Sequence, residues 1–166
     1  LLFNGTKEAY KGYDLLMGVL DELYEEGTKG FELNIYGAVV SDRAYVSVLD
    51  GYTMDTLSSV YEKVDVTIVP SLYYETFGMV VAESLSFGVP VIVSKNVGAK
   101  SLIENHNYGY KFGSRAELKN YLKKIIAKKG DVLKQRMAII TSNDLEFDSD
   151  KTFLKIISIY KQGDIQ

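Results

Sequence analysis

Cysteine and tryptophan are absent from the 166 residues, histidine occurs once, and arginine occurs three times against sixteen lysines. Without a thiol there is no disulfide, no thiolate metal ligand and no cysteine nucleophile. The single histidine, His106, sits in the turn-like run ENHNYG and reads as a structural or surface residue rather than a catalyst. No Asp-x-Asp pair or histidine cluster stands where a metal site needs one, so no metal is expected. No apolar run approaches the ~20 residues of a membrane-spanning helix. No signal peptide is visible; the chain begins on Leu1, inside an expected strand and without an initiator methionine, which reads as an excised domain. The net charge of −3 lacks the basic footprint of a nucleic-acid partner.

What remains is an ordinary globular composition, 46% hydrophobic, of a length that suits one domain, residues 1–166. Short apolar runs alternate with helical patterns. Strands are expected at 1–4, 31–36, 46–49, 66–69, 91–93 and 108–112. Helices are expected at 14–26, 53–63 (with Thr53 as its cap), 78–87, 100–105, 115–128, 131–142 and 150–161. Six strands alternating with helices predict an α/β fold: a Rossmann-like, doubly wound parallel sheet with helices on both faces.

The two prolines, Pro70 and Pro90, bracket the most informative segment, PSLYYETFGMVVAESLSFGVPVIV. It reads as strand, loop, helix, strand. Glu75 lies in the loop and Glu83 in a helix that is apolar nearly all round. A carboxylate in such a helix needs a partner or a ligand, because an unpaired buried charge is expensive. At ~1.5 Å rise per residue Glu83 lies only ~7–8 Å past the helix start. Both carboxylates can therefore face the crevice at the carboxyl ends of the strands. The amides of Phe77, Gly78 and Met79 open the helix and suit a phosphate or a sugar hydroxyl. A carboxylate such as Glu83 accepts two hydroxyl donors at once, as vicinal ribose hydroxyls require. The bland alternative makes Glu75 a solvated loop residue and Glu83 a helix residue paired with a neighbour.

Residues 64–93, VDVTIVPSLYYETFGMVVAESLSFGVPVIV, resemble the donor-binding signature of retaining GT-B glycosyltransferases, the glycosyl transferases group 1 with a Glu-x7-Glu motif. The resemblance runs from Leu1 to about Phe112 and more loosely to Tyr160, and covers the C-terminal half of such an enzyme. It implies that Glu75 meets the donor sugar near the reacting end and that the turn at Phe77, Gly78 and Met79 holds sugar hydroxyls. It implies that Glu83 binds the ribose, that Lys11, in YKGYDLL, contacts the donor diphosphate, and that Gly5 ends the first strand beside it. Thr6 stands where the family has an arginine, with Lys7 next door as the candidate substitute, though a lysine lacks the guanidinium fork. The family's Gly-Gly loop and following glutamate become Gly98-Ala99 and Ser101 here.

The function implied is the nucleotide-sugar-binding half of an enzyme that moves a sugar from a nucleoside-diphosphate sugar to a glycan or lipid-linked acceptor with retained configuration. It fits bacterial polysaccharide biosynthesis in the cytoplasm or at the inner face of the membrane, with no cofactor. The acceptor domain would precede this one in cis, and residues 150–161, with Phe153, Leu154, Ile156, Ile157 and Tyr160 as an apolar stripe, would contact it. Alone, the domain is expected to be inactive. A non-catalytic module binding a nucleotide or a protein is the alternative, and a glycoside hydrolase using the two glutamates a third. Tyr52, after the third strand, is a candidate to flank the nucleotide base. Lys123, Lys124, Lys128 and Lys129 make one helix basic; a solvated face is the expectation, a peripheral membrane contact its alternative.

Overall fold

Leu2 and Phe3, neighbours on the first strand, are both buried but join different clusters, Leu2 on one side of the sheet and Phe3 on the other. The computed structural model describes residues 1–104 and 106–142, and this alternation holds through its centre. Ile68 and Ile92 pack with Phe3, whereas Val69, Val91 and Val93 pack on the opposite face. Strands buried on both faces need helices above and below, which is why these runs are apolar throughout rather than alternating.

Six strands are present: β1 (Leu2–Asn4), β2 (Leu33–Tyr36), β3 (Val46–Leu49), β4 (Thr67–Val69), β5 (Val91–Ser94) and β6 (Gly109–Phe112). They form one sheet in the order β3-β2-β1-β4-β5-β6, and every neighbouring pair is parallel. On one face lie α1 (Tyr13–Glu25) and α5 (Arg115–Ala127), through Leu16, Leu20, Leu23, Leu118 and Leu122. On the other lie α2 (Leu57–Tyr61) and α3 (Met79–Ser86). Two further helices, α4 (Ser101–Glu104) and α6 (Lys129–Ile140), flank β6 and α5. The doubly wound parallel sheet expected from the sequence is therefore the fold.

Differences from the expected elements are local. The helix expected at 53–63 is a 3-10 turn, Met54–Thr56, followed by the short α2. Thr53 is the N-cap of that turn, as expected, in a capping box with Thr56, whose hydroxyl accepts from the Thr53 N–H at 2.9 Å. The helix expected at 100–105 likewise divides into a 3-10 turn, Gly98–Lys100, and α4. Residues 150–161 lie outside the described residues. On the basic helix, Lys123 pairs with Glu26 at 3.8 Å and Lys124 with Asp131 at 3.4 Å. Nearby, Lys119 reaches Glu22 and Glu26 at 2.9 and 2.7 Å. Such exposed pairs contribute little individually, but those of Lys119 and Lys123 tie α5 to α1 and that of Lys124 ties it to α6. Among the described residues no helix is long and apolar enough to cross a membrane.

Candidate functional site

The strand order reverses between β1 and β4, so the chain leaves β1 toward β2 on one side and β4 toward β5 on the other; the gap between their carboxyl ends is the usual ligand crevice of such sheets. Gly12 shapes the approach. It has φ 72° and caps α1, and a Cβ there would stand 2.0 Å from the Pro70 carbonyl oxygen. The start of α1 is thus pressed against the exit of β4, and the Leu72 N–H donates to the Tyr10 carbonyl at 2.8 Å.

This contact sets Lys11 opposite Glu75. The Lys11 ammonium donates to Glu75 Oε1 at 2.7 Å, and the Ser71 hydroxyl donates to Oε2 at 2.8 Å. The two charged side chains are only 30% and 26% exposed. The Glu75 backbone is held too: its N–H donates to the Asn96 carbonyl at 3.0 Å, and its carbonyl accepts from the Gly98 N–H at 2.8 Å. Glu75 is therefore not a freely solvated loop residue.

Gly78 caps α3 with φ 85°, and a Cβ there would come within 2.6 Å of Val97. Among the described residues no acceptor meets the amides of Phe77, Gly78 or Met79. The Phe77 carbonyl takes the Ala99 N–H at 2.6 Å. Asn4, Lys11, Ser71, Glu75 and Gly78 enclose a hollow of about 20 Å³.

A wider hollow of about 300 Å³ adjoins it at the ends of β1, β2 and β3, lined by Asn4, Gly5, Thr6, Tyr36, Gly37 and Tyr52. Thr6 gives its hydroxyl to Glu8 at 2.7 Å. Lys7 is exposed, with its ammonium 5.7 Å from the Tyr13 ring centre, and it lines neither hollow. A cavity of about 490 Å³ lies at the opposite, amino-terminal ends of the central strands, among Leu1, Phe31, Asp65 and Arg136, and holds none of the candidate residues.

Glu83 lines neither of the two crevice hollows. Its Oε2 accepts from the hydroxyls of Tyr52 and Tyr61, each at 3.3 Å. Burial pushes the Glu83 carboxyl above its ordinary value of 4.5, and the two tyrosine hydrogen bonds oppose that rise. Burial likewise pushes both phenols up, with the Glu83 charge adding to it. The Asn4 amide donates in turn to the Tyr52 hydroxyl. Tyr52, a candidate base neighbour, has its ring edge-on to Tyr36 at 5.2 Å. His106 stacks on Tyr108 at 4.8 Å. Among the described residues no three His, Cys, Asp or Glu side chains group as a metal site.

A crevice of this geometry joins with one comparison. Residues 1–143 match the family described as Glycosyl transferases group 1. The chain belongs to that family. A 55-residue stretch is 40% identical to an uncharacterized glycosyltransferase of Methanocaldococcus jannaschii, covering 33% of this chain and 14% of that protein. The structure of sucrose-phosphate synthase from Thermosynechococcus elongatus is similar over 97% of this chain and 44% of that one, with TM-score 0.67 and 20% identity. Anabaena HepE, solved in complex with UDP and glucose, is similar over 97% of this chain and 48% of that one, with TM-score 0.73 and 17% identity. The chain thus spans less than half the length of each of these solved relatives.

Within this group 1 glycosyltransferase chain, the sequence left four participants unread: Asn4, Tyr61, Ser71 and Asn96. Ser71 had a visible signal, the Pro-Ser that follows β4. Tyr61 had none, since its hydroxyl meets a carboxylate 22 residues away.

Proposed function

We propose that this chain is the donor-binding half of a retaining glycosyltransferase that transfers a hexosyl group from a nucleoside-diphosphate sugar to a glycan or lipid-linked acceptor. The observation that carries the reading is the convergence of Lys11, Glu75 and Gly78, the N-cap of α3, on one hollow at the switch point of the sheet. A phosphate there gains an ammonium and a helix N-terminus together, which suits a departing diphosphate. Lys11 and the amides of Phe77, Gly78 and Met79 are assigned to charge on the leaving group, without a metal. Glu75 is assigned to the donor sugar and Glu83 to the ribose. Gly5 and Tyr52 border the nucleoside, while Thr6 and Lys7 stand beside the diphosphate.

In the transfer, the bond between the anomeric carbon and the diphosphate oxygen breaks as the acceptor hydroxyl attacks the same face, and its proton passes to the departing diphosphate. A second domain in cis supplies the acceptor site. Residues 1–166 alone therefore bind donor but transfer no sugar, because orientation of two substrates supplies up to ~7–11 kcal/mol of such a barrier. Titrating UDP-, GDP- and ADP-sugars into the domain, and scoring product anomer with the full-length protein, tests the reading. Absence of binding to any nucleotide, or an inverted product, overturns it.

One observation favours a second reading. Lys11 and Thr6, both placed at the diphosphate, are each already bonded to a carboxylate, Glu75 and Glu8. A non-catalytic nucleotide- or protein-binding module would tolerate that. Full-length protein that binds nucleotide-sugar without turnover would select it.

A further inference from the structure

Tyr52 links the wide crevice hollow to Glu83. The tyrosine lines the wide hollow, the glutamate does not, and the tyrosine hydroxyl lies on the glutamate. Both phenols donate to Oε2, and among the described residues Oε1 has no partner. The two donors differ in every other respect. Tyr61 is fully buried and its ring stacks on Phe87 at 5.2 Å with an interplanar angle of 8°. Its hydroxyl donates to Glu83 and also lies beside the Tyr52 hydroxyl, so once Tyr52 leaves, Glu83 is the acceptor that remains and turning away would leave a buried donor unmet. Tyr52 is partly exposed and follows the exposed Gly51. Its hydroxyl accepts from the Asn4 amide, and because the side chain is partly exposed its proton can pass from Glu83 to water as acceptor.

We propose that Tyr61 is the fixed support that positions Glu83 and that Tyr52 is a movable gate, whose hydroxyl a vicinal diol of the nucleoside replaces on the carboxylate. This inference rests on the donor-binding reading above. When the gate opens, Asn4 keeps the Tyr52 hydroxyl, Tyr61 keeps Oε2 in place, and Oε1 is free to take the second hydroxyl of the diol. No covalent bond changes; one hydrogen bond to the carboxylate is exchanged for two.

The opposed roles give opposed mutants. Tyr61→Phe keeps the ring against Phe87 and removes only the support. Nucleoside diphosphate affinity, by calorimetry with UDP, GDP and ADP, should fall about tenfold. The ligand-free Glu83 carboxyl, followed by NMR against pH, should titrate at higher pH than in the wild type. Tyr52→Phe removes the internal competitor while keeping the ring, so affinity should rise several-fold. The 2′-deoxynucleotide, which lacks the diol, should lose that advantage. Weakening by both variants, or by neither, overturns the gate-and-support assignment. So does an unchanged Glu83 titration in Tyr61→Phe. Glu83→Gln separates this failure from that of the parent reading: undiminished nucleotide binding in Glu83→Gln removes Glu83 from the ribose altogether. Should Tyr61→Phe fail to fold, a gain of affinity in Tyr52→Phe for the ribonucleotide but not its 2′-deoxy form still supports the gate, and a loss rejects it.

Discussion

Lys11 and Glu75, 64 residues apart, form an ion pair of 2.7 Å that closes the small hollow at the sheet's switch point. The lysine proposed for the diphosphate and the glutamate proposed for the sugar are thus each other's partner. Binding of a donor would exchange one contact for two, with the diphosphate drawing off the ammonium while the sugar hydroxyls replace it on the carboxylate.

Two substitutions test that exchange. Lys11→Ala should nearly abolish nucleoside diphosphate binding by calorimetry. Glu75→Ala should keep nucleoside diphosphate affinity or raise it, since the lysine loses its internal competitor, while turnover by the full-length enzyme collapses. Near-normal turnover in Glu75→Ala contradicts its place at the reacting sugar.

Glu83→Gln should weaken donor binding by ~1–3 kcal/mol, the scale of a charge-assisted hydrogen bond in a partly buried site. Its pH dependence has a definite sign. Burial raises the folded-state value above 4.5, so the penalty for holding the charge is fully present above the raised value and disappears below the ordinary one. The wild type should therefore gain stability relative to Glu83→Gln as pH falls through that window, and lose nucleotide affinity in the same window. The comparison must be made between the two proteins. Asp21, Glu22 and Glu26 are held low by hydrogen bonds from Arg43, Arg115 and Lys119 and act in the opposite sense. Urea denaturation of both variants from pH 7 to pH 4 measures the difference. A constant gap refutes the burial cost.

Gly12 and Gly27 share a left-handed backbone but not their surroundings. At Gly27 (φ 87°) no atom lies within 4 Å of an added Cβ, whereas at Gly12 the Pro70 carbonyl is 2.0 Å away. Gly27→Ala should cost only the left-handed conformation, ~1–2 kcal/mol. Gly12→Ala should cost clearly more, because the start of α1 must also move off β4, and it should displace Lys11 and so weaken nucleotide binding. Equal denaturation midpoints for the two variants would contradict the clamp.

The sheet was legible because apolar runs such as Val91–Ser94 are buried on every residue, which no surface strand would need. The need of Glu83 for a partner was legible from the apolar helix around it. The partners were not, because parallel sheets bring together residues far apart in sequence: Tyr52 and Tyr61 reach Glu83 across 31 and 22 positions. The break at Thr56 within the helix expected at 53–63 was hidden for another reason. Leu57, Val60 and Tyr61 are buried but Met54 is exposed, so packing supports only the second half, and the first half keeps the tighter turn.

Thr6 offers the sharpest test of the phosphate site. It lines the wide hollow beside Gly5, and its hydroxyl is already spent on Glu8 at 2.7 Å. A bound diphosphate therefore gains nothing from it, and Lys7 lines neither hollow. An arginine at this position would present a planar fork of donors to the phosphate oxygens. Thr6→Arg should raise nucleoside diphosphate affinity several-fold. Glu8 is the competitor, since its carboxylate, which now takes the Thr6 hydroxyl, would pair with the new guanidinium. Combining Thr6→Arg with Glu8→Ala should therefore raise affinity further than Thr6→Arg alone, and both gains should shrink as salt is added. Calorimetry on the three proteins at two salt concentrations measures this. If Thr6→Arg changes nothing with Glu8 present or absent, the diphosphate does not lie over the end of β1, and Lys11 must be reassigned with it.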